Sequence, residues 1–293
     1  MADAHSKHHD YHIIDPSPWP FVGSVGALVM AFGGICYMKY VEGSQMLMFG
    51  IDWASPWLFF IGLLIVLYTM FGWWSDTIKE SHEGHHTRVV SLHLRYGMMM
   101  FIASEVMFFV AWFWAFFEAS LFPGDLHQVA RTEFTGGQWP PAGIEVLDPL
   151  HLPLYNTVIL LLSGTTVTWA HHALLHNDRK GIVSGLTLTV LLGVLFSFVQ
   201  VYEYMHAPFA FADSIYGATF FMATGFHGFH VFVGTVFLLV CLIRAARGDF
   251  TPQKHFGFEA AAWYWHFVDV VWLFLFFSIY IWGSWGAPIH EAM

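Results

Sequence analysis

The chain has 293 residues, 57% of them hydrophobic, 19% aromatic and 11% charged, with a formal net charge of −10. A typical globular domain carries about 25% charged and about 45–50% apolar residues, so this composition excludes a water-soluble fold. The negative balance also excludes nucleic-acid recognition through a basic patch.

A membrane-spanning helix needs about 20 mainly apolar residues. Seven such stretches follow one another, at 20–40, 56–74, 96–121, 154–175, 182–204, 215–244 and 259–285. The predicted fold class is therefore an all-α integral membrane protein with seven transmembrane helices. A polar tail over 1–19 precedes spans one and two at 20–75. A loop at 76–95 leads into spans three to seven at 96–285, with an outer loop at 122–153 and an outer tail at 286–293. The first residues show no basic head followed by a short apolar core, so no cleaved signal peptide is expected. Cys36 and Cys241 lie inside apolar runs and make neither a disulfide framework nor a CxxC metal site.

Basic residues accumulate on the cytoplasmic side of membrane proteins. Lys7, Lys79, Arg88, Arg95, Arg179, Lys180, Arg244, Arg247 and Lys254 fall on one side of the predicted topology, against Lys39 and Arg131 on the other. The bias predicts an inner N-terminus and an outer C-terminus.

Nineteen histidines include three spacings that suit metal ligands: His82-x-x-His85-His86, His172-x-x-x-His176 and His227-x-x-His230. Imidazoles three or four positions apart share a helix face, and the first two spacings resemble the boxes of membrane di-iron enzymes. A metal also needs a complete ligand set and supporting partners, and here the box order is reversed with no third box on that side. Histidines that bond between helices or sit solvated at the interface are the competing reading. In the tail, His5, His8, His9 and His12 are interleaved with Asp3, Asp10 and Asp15. Imidazoles exchange protons near neutral pH, so this surface is either a proton antenna or an ordinary polar face.

Glu105 lies about ten residues into span three, or ~15 Å at 1.5 Å per residue, near the bilayer centre. A carboxylate there is expensive, so it is expected to be protonated or paired inside the bundle. A proton site and a structural interhelical bond are both open readings. Asp269 in span seven has a local candidate partner, His266, three residues earlier on the same helix face. Trp73 and Trp74 end span two, followed by Lys79 and Glu80, while Arg244 and Arg247 end span six on the same side. Tryptophan favours the headgroup level and the Arg fork binds phosphate, which suits lipid headgroups as well as a generic interface belt. No P-loop, GxGxxG strand motif, nucleophile elbow or Cys/His redox site is present.

The segment HFGFEAAAWYWHFVDVVWLFLFF at 255–277 closely resembles the last span of cytochrome c oxidase subunit III. So do PSPWP at 16–20, GHHT at 84–87, LRYGM at 94–98, SEV at 104–106, WPP at 139–141, TWAHH at 168–172, IYG at 215–217 and ATGFHG at 223–228. The resemblance implies seven helices in a two-helix and a five-helix bundle separated by a lipid-filled cleft. It implies a non-redox core subunit of an aa3-type, proton-pumping oxidase, with haem and copper held by partner subunits and no cofactor here except bound phospholipids. The partners it implies are the haem-copper subunit I and subunit II, with cytochrome c as substrate of the complex. The family's buried glutamate falls on Glu105. Its headgroup positions fall on Trp73, Trp74, Lys79, Glu80, His86, Arg244 and Arg247. A family without metal retires the di-iron reading of the histidines. The first two spans and the PSPWP signature favour the cytochrome c branch over a quinol oxidase. Glu118 departs from the family pattern. The tail and outer loop are long for a mitochondrial member, so a bacterial origin is expected, in the plasma membrane with a cytoplasmic N-terminus and a periplasmic C-terminus.

Overall fold

A computed structural model of the chain describes residues 10–13, 15–125 and 127–290. Seven helices among the described residues are long and apolar enough to cross a membrane. In chain order these are α1 (Trp19–Val41), α2 (Trp57–His82), α3 (Arg88–Leu121), α5 (Leu152–Leu175), α6 (Arg179–Met205), α7 (Ile215–Arg247) and α8 (Phe256–Leu275). Helix α8 runs on without a break into a π-helical segment, Phe276–Trp282. A two-stranded antiparallel hairpin, β1 (Leu47–Met48) and β2 (Ile51–Asp52), joins α1 to α2, and a short helix α4 (Val129–Thr135) lies after α3.

Helices α2 and α3 extend well past their apolar cores, so most of the loop expected at 76–95 is helical. Hydrophobicity marks where a helix enters lipid, whereas helix ends follow local bonding. Ser75 and Thr77 donate to the carbonyls of Phe71 and Trp73 at 2.7 and 3.0 Å, which keeps polar residues compatible with the helix. The helix stops at His82, and Gly84 at φ +86° turns the chain in a conformation that favours glycine.

The chain divides into two compact units, Met1–Leu94 and Arg95–Met293, with the division inside α3. In the first unit α1 and α2 pack at backbone distance. A Cβ on Gly33 would sit 2.2 Å from the Phe59 nitrogen, and one on Gly62 would sit 2.2 Å from the Met30 nitrogen. Small residues permit such close approach where lipid offers no hydrophobic drive for association. Trp19 adds a polar lock, its indole Nε1–H donating to Asp76 Oδ2 at 2.6 Å.

In the second unit α8 is the buried centre. Trp265 and Trp272 are both fully buried. Their indole N–H groups donate to Ser163 Oγ at 2.8 Å and Thr157 Oγ1 at 2.9 Å, both on α5. Burying tryptophan requires such a partner. Glycines on α6 and α7 make room for the Trp265 ring, since a Cβ on either Gly193 or Gly234 would lie 2.8 Å from it. Thr166 and Thr189 join α5 to α6 through hydroxyls 2.8 Å apart.

Candidate functional site

At the polar end of α2, Trp73 and Trp74 are 46% and 60% exposed. Lys79 Nζ lies 3.8 Å from Glu83 Oε1. Glu80 Oε1 lies 3.8 Å from His12 Nε2, and the His12 ring stacks on His85 with centroids 4.5 Å apart. His86 is half-buried in the same turn. His12 is thus placed beside Glu80 and His85, while His5, His8 and His9 lie outside the described residues.

At the polar end of α7, the Arg244 guanidinium lies 4.5 Å over the Phe250 ring, with its Nε 3.6 Å from Asp249 Oδ2. Arg247 is exposed. Both cations sit in the last turn, where the helix dipole favours positive charge. Arg179, opening α6, donates to the Ala246 carbonyl. Glu259 in the first turn of α8 is held by an arginine of α3. Arg95 grips it as a fork, Nη2 at 2.9 Å and Nε at 3.0 Å from Oε2.

Inside the second unit Glu105 is paired across helices. His230 Nε2 lies 2.7 Å from Glu105 Oε2, and His230 Nδ1 lies 2.6 Å from the Phe226 carbonyl oxygen. A carbonyl can only accept, so Nδ1 carries hydrogen. The Nε2 contact then holds one further proton, shared between imidazole and carboxyl. Asp269 is 6% exposed. Its Oδ2 is 3.6 Å from His266 Nδ1, beyond hydrogen-bond length, while His266 Nε2 reaches Thr168 Oγ1 at 3.2 Å. The His266–Asp269 pair is therefore adjacent but loosely joined. The room for its carboxylate comes from α5, where a Cβ on Gly164 would meet Asp269 Oδ2 at 2.4 Å.

The histidine spacings resolve into separate bonds. His227 is fully buried, with Nε2–H donating to the Val268 carbonyl at 3.1 Å. His176 Nδ1 is 2.9 Å from the carbonyl of His172 in its own helix. Among the described residues no three His, Cys, Asp or Glu side chains converge as metal ligands.

Sequence reasoning passed over Glu203. This residue is 1% exposed near the end of α6 and accepts from Tyr280 Oη–H at 2.6 Å and Gln200 Nε2 at 3.2 Å. The available signal was local: a glutamate three positions after a glutamine, in an otherwise apolar stretch.

Seven apolar helices with acids held inside them define a polytopic integral membrane protein. Residues 9–284 match the family model for cytochrome c oxidase subunit III, and the chain belongs to that family. It is 56% identical over 280 residues to cytochrome c oxidase subunit 3 of Arabidopsis thaliana, covering 95% of this chain and 98% of that one. The corresponding subunit of Gadus morhua is 53% identical over 277 residues, covering 94% and 98%. The protein is accordingly a subunit of the terminal respiratory oxidase and part of the oxygen-reducing complex. The quinol-oxidase and di-iron alternatives are not favoured. One expectation is corrected. The relatives come from plants and fish and point to the mitochondrial inner membrane, not to a bacterial plasma membrane. Charge bias orients a chain relative to the compartment from which it inserts, and it carries no information on which membrane that is.

Proposed function

We propose that this chain is the non-redox, lipid-holding subunit that shields the haem-copper subunit I, alongside subunit II, in the complex that oxidises cytochrome c. Haem and copper belong to those partners, and this chain's contribution is indirect. It holds phospholipid headgroups, supports proton uptake at its histidine-bearing face and sustains turnover of the catalytic subunit.

The observation that carries the lipid reading is the exposure of Trp73 and Trp74 immediately before Lys79 and Glu80. Amphipathic rings stay at the headgroup level, and a lysine one to two turns away offers charge to phosphate. In the second unit Arg244 and Arg247 present the same chemistry at the end of α7. Neither group requires redox chemistry in this chain.

The test compares the oxidase purified with and without this chain, following oxygen consumption over many turnovers. The proposal expects a normal initial rate that decays faster when the chain is absent, and fewer phospholipids retained per complex. An unchanged lifetime with unchanged lipid content overturns it. Metal analysis of the isolated chain checks the non-redox assignment directly, since stoichiometric iron or copper would refute it.

A further inference from the structure

The buried polar cluster around Glu203 is separate from the Glu105 pair, from Asp269 and from the basic helix ends. It is built by three elements. Asn156 comes from α5, Gln200 and Glu203 from α6, and Tyr280 from the π-helical segment that ends α8. All four are buried, at 0%, 3%, 1% and 2% exposure. A π segment shifts the side chains after it relative to a regular helix and is frequent at functional sites. Here it delivers the Tyr280 hydroxyl to Glu203 Oε1 at 2.6 Å.

Among the protein groups, the hydrogen-bond count leaves two buried acceptors without a donor. Asn156 Nδ2 donates to Gln200 Oε1 at 3.2 Å. Gln200 Nε2 spends its two hydrogens on Glu203 Oε1 at 3.2 Å and Tyr280 Oη at 3.3 Å. Oε1 of Glu203 thus receives two donors. Two buried acceptors receive none, Glu203 Oε2 and Asn156 Oδ1. Gln200 and Tyr280, the hydrogen-bond partners of Glu203 among the described residues, are not cations. The Tyr204 hydroxyl, next in sequence, already donates to Thr224 Oγ1 on α7 at 2.7 Å. Exchanging the amide ends of Asn156 and Gln200 does not remove the deficit, because Gln200 Oε1 would then face Glu203 Oε1.

We infer that Glu203 is a proton-holding site, a neutral carboxylic acid that carries its proton on Oε2, the carboxyl oxygen that no donor reaches. A single proton on Oε2 removes an uncompensated negative charge from this buried cluster. An unpaired buried carboxylate costs far more than a hydrogen-bonded neutral acid. Oε1 remains the carbonyl oxygen, bonded by Tyr280 and Gln200.

Infrared spectroscopy of the assembled oxidase at neutral pH tests this. A protonated carboxyl gives a carbonyl stretch above the amide region that shifts down after exchange into D2O. The expected result is such a band, lost in Glu203→Gln and retained in Glu105→Gln and Asp269→Asn. Two milder variants keep the test decisive if Glu203→Gln does not assemble. Tyr280→Phe removes one donor from the carbonyl oxygen and Gln200→Leu removes the other, so each shifts the band upward without abolishing it. The inference is overturned if no band responds to any of the three, or if Glu203→Gln removes carboxylate stretches instead.

Discussion

Nε2 of His230 lies 2.7 Å from Oε2 of Glu105, tying α7 to α3 through residues 125 positions apart. The other imidazole nitrogen is committed to the Phe226 carbonyl, so the ring cannot turn away without breaking a second bond. Glutamine at position 105 still offers a hydrogen-bonding side chain to Nε2, whereas leucine leaves it without a partner in an apolar setting. Leaving a buried polar group unsatisfied costs about 1–3 kcal/mol. Glu105→Leu should therefore lower the melting temperature of the assembled chain clearly more than Glu105→Gln does. Equal melting temperatures for the two variants would remove the pair as a structural tie.

Gly164 on α5 and Asp269 on α8 form a second coupled pair. An added methyl at 164 would meet Asp269 Oδ2 at 2.4 Å, where real Cβ contacts do not occur. Gly164→Ala should destabilise by about 1–3 kcal/mol through overpacking. The loss should shrink when Asp269 is also changed to Ala, because the obstructing oxygen is then gone. A double-mutant cycle on thermal stability measures this coupling, and strictly additive losses would contradict it.

The Trp265 slot predicts a contrast among helical glycines. Alanine improves helix propensity over glycine by about 1 kcal/mol, yet at Gly193 and Gly234 its Cβ would sit 2.8 Å from the Trp265 ring. Overpacking of about 1–3 kcal/mol outweighs that gain. Gly225→Ala meets nothing within 4 Å in this chain and should be neutral or stabilising. Denaturation midpoints for the three variants settle the order, and a destabilising Gly225→Ala together with neutral Gly193→Ala would reverse it.

The segment after α3 predicts an acid response. The His127 backbone N–H donates to Asp125 Oδ1 at 2.9 Å and holds the carboxyl below its ordinary value of 3.8. A depressed acid stabilises above its unfolded value and loses that contribution as pH falls through the folded one. The turn should therefore be unchanged from neutral pH to pH 4 and loosen only below 3.8. Amide exchange at His127 reports this, and Asp125→Asn should flatten the pH dependence. Loosening already at pH 6 would contradict this assignment.

Legibility from sequence followed the range of the interaction. The exposed Trp73 and Trp74, and the short spacing of His266 and Asp269, could be read because neighbours on one helix are set by helical geometry. The place of Glu105 inside a long apolar run could also be read. Its partner could not. His227 and His230 drew notice as a spacing, but periodicity along α7 does not say which helix lies opposite. Glu203 escaped for the same reason, since its partner Tyr280 comes from the far end of another element.

The sequence by itself determined the class. Seven runs of about 20 apolar residues leave the backbone no way to satisfy its polar groups in lipid except as helices, and dense motifs along the chain indicated the family. The tertiary structure decided which polar atoms meet. It set His230 on Glu105, Arg95 on Glu259 and Tyr280 on Glu203. Those contacts depend on helix rotation and on glycines that let helices close to van der Waals distance, and side-chain pairing between helices has no signature in a one-dimensional pattern of hydrophobicity.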